Sequence, residues 1–190
     1  MSRVPAKRVA RGVALAGLLL AMSPAVARAQ AVELDALKGA FLFNFIRFTE
    51  WPVDAHTPGT PIVTCLDAPR VADALDEIVR ARSAGRPLTV QRMKATDSGA
   101  GCDVLYIGGR DPRRSLLAQT RGRPVLTVGE TPQFCDAGGL VYFYVDGGHL
   151  RFAINLPAVQ ASRLRLSSQL LSLAKLVKTE GPSHHDSTHR

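Results

Sequence analysis

The sequence predicts an α/β protein, a layered sandwich with a mixed, mostly parallel central sheet flanked by helices. Three short runs rich in β-branched and aliphatic residues, at 61–66, 102–107 and 124–128, alternate with segments of helical periodicity, as the buried strands of a parallel sheet do. Two further runs, at 141–145 and 150–154, are separated by a short glycine-containing turn. This spacing predicts an antiparallel hairpin at one side of the sheet.

Residues 1–29 have the pattern of a secretory signal peptide. Four basic residues precede an apolar run from Val13 to Met22, and the small residues of Ala27-Arg28-Ala29 provide a cleavage site. An apolar run of about ten residues is half the length that a membrane span requires. We therefore predict export with cleavage near Ala29, which in a bacterium with two membranes places the mature chain in the periplasm.

The basic character of the chain belongs mostly to this leader. The formal net charge is +8, but five of the 24 Lys and Arg residues and none of the 16 Asp and Glu residues lie in residues 1–29. The rest of the chain carries 19 basic and 16 acidic residues, a net charge of +3. Without a cluster of basic side chains interleaved with aromatic ones, this composition gives no support to nucleic-acid binding. Residues 30–180 suit a single domain, and residues 181–190 are predicted to be a disordered tail.

Residues 34–52 predict an amphipathic helix of about five turns, which we expect to supply much of the core. Its apolar stripe repeats at helical spacing and consists of Leu34, Leu37, Phe41, Phe45 and Phe48, whereas the charged residues away from the stripe are Glu33, Lys38, Arg47 and Glu50. The only Trp of the chain, Trp51, follows. Phe43 projects from nearly the opposite face, so either a second layer covers it or it is exposed for a partner.

The segments after this helix alternate in type, as an α/β chain requires. In order they are a buried strand at 61–66, a helix over 71–79 with Asp67 as its N-cap, an edge strand at 87–93, a strand at 102–107, a short helix at 113–120, a strand at 124–128, the hairpin and a last helix at 167–178.

The three cysteines, Cys65, Cys102 and Cys135, are expected to form one bridge and to leave one thiol over in an oxidising compartment. Three pairings are open on the residues alone. No CxxC pair is present, so a thioredoxin-type oxidoreductase is not indicated.

No set of residues in the sequence predicts an enzyme. The glycine turns after the predicted strands match neither GxGxxG nor GxxxxGK[ST], and neither Ser115 nor Ser162 lies in a GxSxG elbow. Outside the tail the only histidines are His56 and His149, and the tail histidines have no Cys or carboxylate set to complete a metal site. We therefore predict no catalytic residue, no cofactor and no metal, and interpret the chain as a binding or regulatory module.

Two kinds of binding module fit these features. A regulator that acts by protein contact is expected to show an exposed apolar patch of roughly several hundred Å² but no deep pocket. A small-molecule sensor or carrier is expected to show a concave site with convergent polar groups near the carboxyl ends of the strands. For the second kind, Asn44 and Asn155 are candidate polar groups, and satisfied amides in the core are the alternative interpretation. The sequence leaves open whether the chain forms a homodimer.

Several short motifs follow one another along residues 35–177. They are Lys38-x-x-Phe41-x-x-Asn44-Phe45-x-x-Phe48-x-x-Trp51-Pro52, then Cys65, Cys102-Asp103-Val104-Leu105-Tyr106-Ile107, Pro124-Val125-Leu126-Thr127-Val128-Gly129, Gly138-Gly139, Phe152-x-Ile154-Asn155 and Ser168-x-x-Leu171-x-x-Ala174. In order and spacing these motifs resemble the YfiR family of periplasmic proteins. The resemblance implies a repressor that binds the periplasmic sensor region of an inner-membrane diguanylate cyclase and lowers cyclic di-GMP. It also implies release of the cyclase by an outer-membrane OmpA-like lipoprotein or by reductive damage to the repressor.

The resemblance implies a disulfide between Cys65 and Cys102. It leaves Cys135 as a free thiol, because Tyr142 stands where the partner of Cys135 is expected. Cys65 lies late in its predicted strand and Cys102 just before its own, so we expect a register offset or antiparallel pairing to bring them within bonding distance.

Two further sets of residues are predicted, one with a structural role and one as contacts with a partner protein. The structural positions that the resemblance implies are Phe41, Phe45, Trp51 and Asn155. The candidate contacts with a partner protein, to the extent that they are exposed, are Phe43, Tyr142, Tyr144 and Phe152.

Overall fold

The computed structural model of the chain describes residues 24–82, 87–94 and 96–177. Residues 1–23 of the predicted leader and the predicted tail at 181–190 lie outside the described residues, so both stay predictions. Residues 24–29, the end of the predicted leader, form the first part of helix α1. Within the described ranges, no helix is both long enough and apolar enough to cross a membrane.

Helices and strands alternate along most of the described chain. Their bounds are α1 Pro24–Arg47, β1 Thr49–Glu50, β2 Ile62–Leu66, α2 Pro69–Ala81, β3 Leu88–Arg92, β4 Val104–Tyr106, α3 Arg114–Thr120, β5 Leu126–Gly129, α4 Pro132–Asp136, β6 Val141–Asp146, β7 His149–Asn155, α5 Leu156–Ala161, β8 Arg165–Leu166, α6 Ser168–Leu173 and β9 Lys175–Val177.

A seven-stranded sheet in the order β3-β2-β4-β5-β6-β7-β9 forms the centre of the described part. Neighbouring strands are parallel except β6 and β7, which form the predicted antiparallel hairpin. β3 lies at one edge, as predicted, and β1 pairs with β8 in a separate antiparallel ladder. The predicted α/β sandwich with a mixed, mostly parallel sheet is therefore confirmed.

Apolar side chains cover both faces of the sheet, because successive residues of a strand point to opposite faces. On one face the sheet packs against α1, α2, α5 and α6, and this core includes Leu42, Phe45, Leu75, Tyr106, Phe143, Ile154 and Leu170. On the other face it packs against α3 and α4, and that core includes Leu105, Ile107, Leu117, Phe134, Cys135 and Tyr142. The middle strands are consequently buried on both sides, which is why their sequences read as continuous apolar runs.

The first helix ends earlier than predicted. α1 stops at Arg47, and the chain then runs extended as β1, with Thr49 opposite Leu166. The hydroxyl of Thr49 donates to the carbonyl of Phe45 at 2.7 Å and so closes the end of the helix. Pro52 disfavours helical backbone at Trp51, so the helix could not have continued to the end of the predicted stretch.

The buried face of α1 is turned by about one residue from the predicted stripe. Leu37 is 42% exposed, whereas Lys38, Gly39 and Leu42 are buried. Gly39 allows α1 to approach α2 closely, since a Cβ atom there would lie 2.9 Å from the Cβ of Ala74. This backbone contact, which hydrophobic periodicity does not reveal, decides which side of the helix faces inward.

The last predicted helix, at 167–178, is helical only in its first half. α6 ends at Leu173, and β9 then joins the sheet in parallel beside β7, with Ala153 opposite Lys175. A short apolar run fits helix and strand equally, and here the unpaired edge of β7 decides in favour of a strand.

Three local predictions need smaller corrections. Ala68, not Asp67, occupies the N-cap position of α2, and the carboxylate of Asp67 instead accepts from the Gly108 amide. The short helices α4 and α5 were not predicted. Each has a proline in its first turn, Pro132 and Pro157, which is a usable signal of a helix start.

Candidate partner-binding groove

An open apolar groove lies between α1 and α6, with Phe152 of β7 at its base. Its volume is about 350 Å³, and its lining residues are Phe41, Asn44, Phe45, Phe48, Phe152, Gln169, Leu170, Ser172 and Leu173. The lining is mostly aromatic and aliphatic, as in sites that bind apolar side chains or ligands.

One wall of the groove is made by the aromatic residues of α1. Phe41, Phe45 and Phe48 follow at intervals of four and three residues and so share one side of the helix. Phe45 is fully buried. Phe41 and Phe48 are half-buried because the side of α1 that packs against its neighbours is the side of Gly39. Part of the stripe predicted as core is therefore the wall of a groove.

The base of the groove is a cluster of aromatic rings. The ring of Phe152 lies 4.8 Å from Phe45 and 5.8 Å from Phe41, and Phe143 lies 5.5 Å from Phe45. Aromatic pairs at such distances contribute roughly 0.5–1.5 kcal/mol each beyond the burial of their area. The cluster therefore holds this surface in a defined shape.

The opposite wall is the short helix α6. The hydroxyl of Ser167 accepts from the amide of Leu170 at 3.2 Å and caps the helix. This places Leu170 inside the core, whereas Leu173, one turn later, is 75% exposed at the rim of the groove. Leu173 thereby extends the apolar lining of the groove to the surface of the protein.

Polar groups lie along the rim. The amides of Asn44 and Gln169 and the hydroxyl of Ser172 line the groove, and this hydroxyl donates to the carbonyl of Gln169 at 2.9 Å. Asn44, predicted as a candidate polar group, is exposed here. The rim can therefore accept a partner or ligand that has both apolar and hydrogen-bonding groups.

A charged cluster lies at the carboxyl ends of the parallel strands, beneath α1. The Lys38 ammonium donates to Oε1 of Glu130 at 2.8 Å, and the Tyr106 hydroxyl donates to the same oxygen at 2.5 Å. Burial, reinforced by the Glu130 carboxylate, raises the pKa of Tyr106, so the hydroxyl keeps its proton. We call Lys38, Tyr106 and Glu130 the carboxyl-edge cluster. Lys38 was predicted to lie away from the core, and its pairing with Glu130 corrects that prediction.

Asp67 lies close to this cluster, directly after β2. Its carboxylate accepts from the Gly108 amide and lies 3.5 Å from a guanidinium nitrogen of Arg113. Burial raises the pKa of Asp67, although both partners act in the opposite direction. Within the described residues, no three His, Cys, Asp or Glu side chains are grouped to hold a metal ion.

The four candidate partner contacts do not form one surface. Phe152 is buried at the base of the groove, and Tyr142 is buried against α4, so neither presents an exposed ring. Phe43 is half-buried, with the guanidinium of Arg82 5.2 Å from its ring centre. Tyr144 is half-buried beside Tyr142, on the opposite face of the sheet from the groove. Because Tyr142 and Phe152 are buried, their prediction as exposed partner contacts is corrected.

Asn155 holds three segments together. Its amide nitrogen donates to the carbonyls of Cys135 and Gly139, and its amide oxygen accepts from Ala158 and caps α5. The side chain is a satisfied core amide, not a ligand-binding group. Phe41, Phe45 and Trp51 of the same predicted set are half-buried or buried in the core around α1.

Cys65 and Cys102 are joined by a disulfide, with their Cα atoms 5.9 Å apart. β2 and β4 are parallel, with Cys65 opposite Leu105, so antiparallel pairing does not bring the cysteines together. Cys102 instead lies in the loop two residues before β4, where its amide donates to the Gly99 carbonyl. The loop folds back over the sheet face on which Cys65 points, which resolves the expected conflict.

Cys135 is a free thiol and is buried. Burial, with a smaller effect of Asp136, raises its pKa from the ordinary 9.0 to about 12. The folded protein therefore binds this proton more tightly than the unfolded chain. The resulting stabilisation is complete below pH 9 and is lost as the pH rises toward 12.

We expect the wild-type protein to lose more stability than a Cys135→Ala variant between pH 9 and pH 12. Urea unfolding of both proteins at a series of pH values measures this difference, and the variant controls for every other group that titrates in the same range. An equal loss in the two proteins would show that Cys135 does not titrate with the raised pKa.

Some site residues were missed by the sequence prediction. Leu173 and Gln169 lie in the last predicted helix, to which the sequence prediction gave no part in a site. Glu130 lies two residues after the strand predicted at 124–128, and charged residues at the carboxyl ends of parallel strands are a usable signal of a cluster. That signal requires the strand order, which the sequence did not provide.

The mixed sheet, the aromatic base and the open groove define a small α/β protein whose candidate site is an apolar binding surface. Sequence comparison then identifies the family of this protein. The chain belongs to the YfiR/HmsC-like family, whose sequence model matches residues 35–175. Proteins of this family are periplasmic regulators of cyclic di-GMP signalling.

In three dimensions the chain is similar to an ABC domain from Streptococcus pneumonia that was solved in complex with L-Trp. The sequence identity is 12%, and the TM-score is 0.44. The similarity covers 66% of this chain and 58% of the length of that protein.

Proposed function

We propose that this protein is a periplasmic repressor that binds the periplasmic sensor region of an inner-membrane diguanylate cyclase through the groove between α1 and α6. The observation that supports this most directly is the apolar groove edged by Leu173, which is 75% exposed. Family membership supplies the signalling context, and the groove supplies the surface. Release by an outer-membrane OmpA-like lipoprotein belongs to the same proposal.

Repression of this kind needs only a difference in affinity between two states of the partner. A tenfold preference for the inactive cyclase corresponds to about 1.4 kcal/mol. Burial of one large apolar side chain contributes roughly 1.5–3 kcal/mol, so a partner that covers Leu173 in one state alone provides enough. The aromatic base keeps the groove in shape before binding, which lowers the entropy cost of association.

A small-molecule sensor or carrier is the second candidate function. The groove is concave, and its volume of about 350 Å³ is within the range of ligand sites. Asn44, Gln169 and Ser172 supply polar groups at its rim. A titration with the fluorescent apolar anion 8-anilinonaphthalene-1-sulfonate tests whether the groove admits a small apolar ligand, and the absence of saturable binding that Phe48→Ser removes would contradict this candidate.

We expect a strain deleted for this gene to have raised cyclic di-GMP, and the exported wild-type protein to restore the lower level. Leu173→Asp should restore it poorly, because placing a carboxylate on the groove weakens partner binding by about tenfold or more. Val53→Asp is the matched control, since Val53 is 77% exposed and does not line the groove.

Cyclic di-GMP measured by mass spectrometry in cell extracts gives the result, with immunoblots to confirm equal protein levels. Unchanged cyclic di-GMP on deletion and on complementation would reject the repressor. Equal activity of the Leu173→Asp and Val53→Asp variants would reject the groove as its binding surface. Co-purification of the mature protein with a cyclase from solubilised membranes would identify the partner.

A further inference from the structure

The carboxyl-edge cluster lies at the start of the fully buried part of α1. From residue 30 to Leu37 the side chains of α1 are exposed or half-buried, and Lys38 is the first buried one. Its ammonium is held by Glu130 and lies 3.8 Å from Asp35. Preceding residues are tied to α2 by a longer pair, in which Asp35 lies 3.9 Å from the exposed guanidinium of Arg70. On this side of Lys38 the helix is held by the half-buried Leu34, which packs against the core, and by this exposed pair.

Two physical routes connect this cluster with the groove. Along α1, Lys38 precedes Phe41 by three residues, so both lie on neighbouring turns of one rigid helix. Through the core, the ring of Tyr106 lies 6.3 Å from Phe143, which in turn contacts Phe41 and Phe45 at 5.9 and 5.5 Å. The cluster is therefore connected to the groove wall through α1 and to its base through packed rings.

A buried ion pair fixes geometry more than it adds stability. Desolvation of both charges offsets most of their attraction, but loss of one partner leaves the other charge without compensation. The Lys38 and Glu130 side chains are 11% and 22% exposed, so water compensates only part of such a loss. This pair is therefore suited to hold one position of α1 against alternatives.

We propose that Lys38, Glu130 and Tyr106 form an electrostatic latch that positions α1 and thereby sets the shape of the groove. These are positioning residues, because none of them lines the groove. The latch holds α1 from Lys38 onward against the sheet. Its link to repression rests on the proposed function, whereas its effect on α1 does not.

Amide hydrogen exchange of the purified protein tests the latch without any partner. In Lys38→Met, exchange in residues 31–41 should accelerate by about tenfold, while exchange in β4 and β5 stays as in the wild type. The conservative variant Lys38→Arg, which keeps the positive charge and N–H donors for Glu130, should return the rate toward the wild-type value. Arg70→Met is the matched control, because it breaks only the exposed pair with Asp35.

Tyr106→Phe provides a milder variant that removes one hydrogen bond and keeps the ring. Should Lys38→Met unfold the whole protein, local acceleration in α1 of Tyr106→Phe supports the latch, and equal acceleration in all elements overturns it. An unchanged rate in Lys38→Met overturns it, as does a Lys38→Arg variant that exchanges as fast as Lys38→Met.

Cyclic di-GMP in the complemented deletion strain separates the latch from the proposed function. We expect Lys38→Met to repress as poorly as Leu173→Asp and Lys38→Arg to repress well. Full repression by Lys38→Met alongside poor repression by Leu173→Asp overturns the link between latch and groove. If no variant and no deletion changes cyclic di-GMP, the proposed function fails while the exchange data still decide the latch.

Discussion

Removal of the disulfide with Cys65→Ala and Cys102→Ala should lower the free energy of unfolding by about 4 kcal/mol. The two cysteines are 37 residues apart, and releasing a loop of this length restores much of the conformational entropy of the unfolded chain. Domains typically have a free energy of unfolding of roughly 5–15 kcal/mol, so a loss of this size is a large part of the total stability. Urea unfolding with circular dichroism measures it.

Cys135→Ala is the control for the loss of a cysteine without the loss of the bridge. Cys135 is buried but unpaired, so its replacement removes only a small packed side chain. Reduction of the wild-type protein with dithiothreitol should lower stability by the same amount as the double replacement. A double variant as stable as Cys135→Ala would mean that the bridge contributes nothing to the folded state.

Asn155→Asp should lower the free energy of unfolding by roughly 3–5 kcal/mol. The carboxylate can still accept from Ala158, so the cap of α5 is kept. It cannot donate to the carbonyls of Cys135 and Gly139, and these buried oxygens lose their partner beside a new negative charge. Stability relative to the wild type should recover as the pH falls, because the protonated acid donates again.

Ser167→Ala is the matched control for the Asn155→Asp variant. Ser167 caps α6, a helix of the same length as α5, but its hydroxyl has only this role among the hydrogen bonds described. Loss of the cap alone should cost about 1 kcal/mol. If Asn155→Asp were no more destabilising than Ser167→Ala in urea unfolding, the bonds to the two carbonyls would carry no net stability.

The groove illustrates how far sequence patterns reach. Helical spacing correctly put Phe41, Phe45 and Phe48 on one side of a helix, but it assigned all three to the core. Gly39 turns α1 toward α2, and this close contact leaves Phe41 and Phe48 at an open surface. The orientation of a helix depends on the shape of its neighbour, which a one-dimensional pattern does not contain.

The same reason explains why Lys38 was misplaced. A lysine off the apolar stripe is normally solvated, and its burial here depends on Glu130, 92 residues later in the chain. Only the arrangement of β4 and β5 under α1 brings a carboxylate and a tyrosine hydroxyl to that point. The exposure of Leu173 also depends on the tertiary structure, because the chain ends α6 at this residue and then joins the sheet as β9.

By itself the sequence determined the α/β class, the central strands, the hairpin and, through the family resemblance, the disulfide. These follow from alternation, apolar runs and turn residues, which act between near neighbours and are written directly in the chain. Only the tertiary structure decided which side of α1 is buried, where α6 ends and which charges meet beneath the helix. Such features depend on contacts between residues far apart in sequence, whose free energy exists only once the elements have packed together.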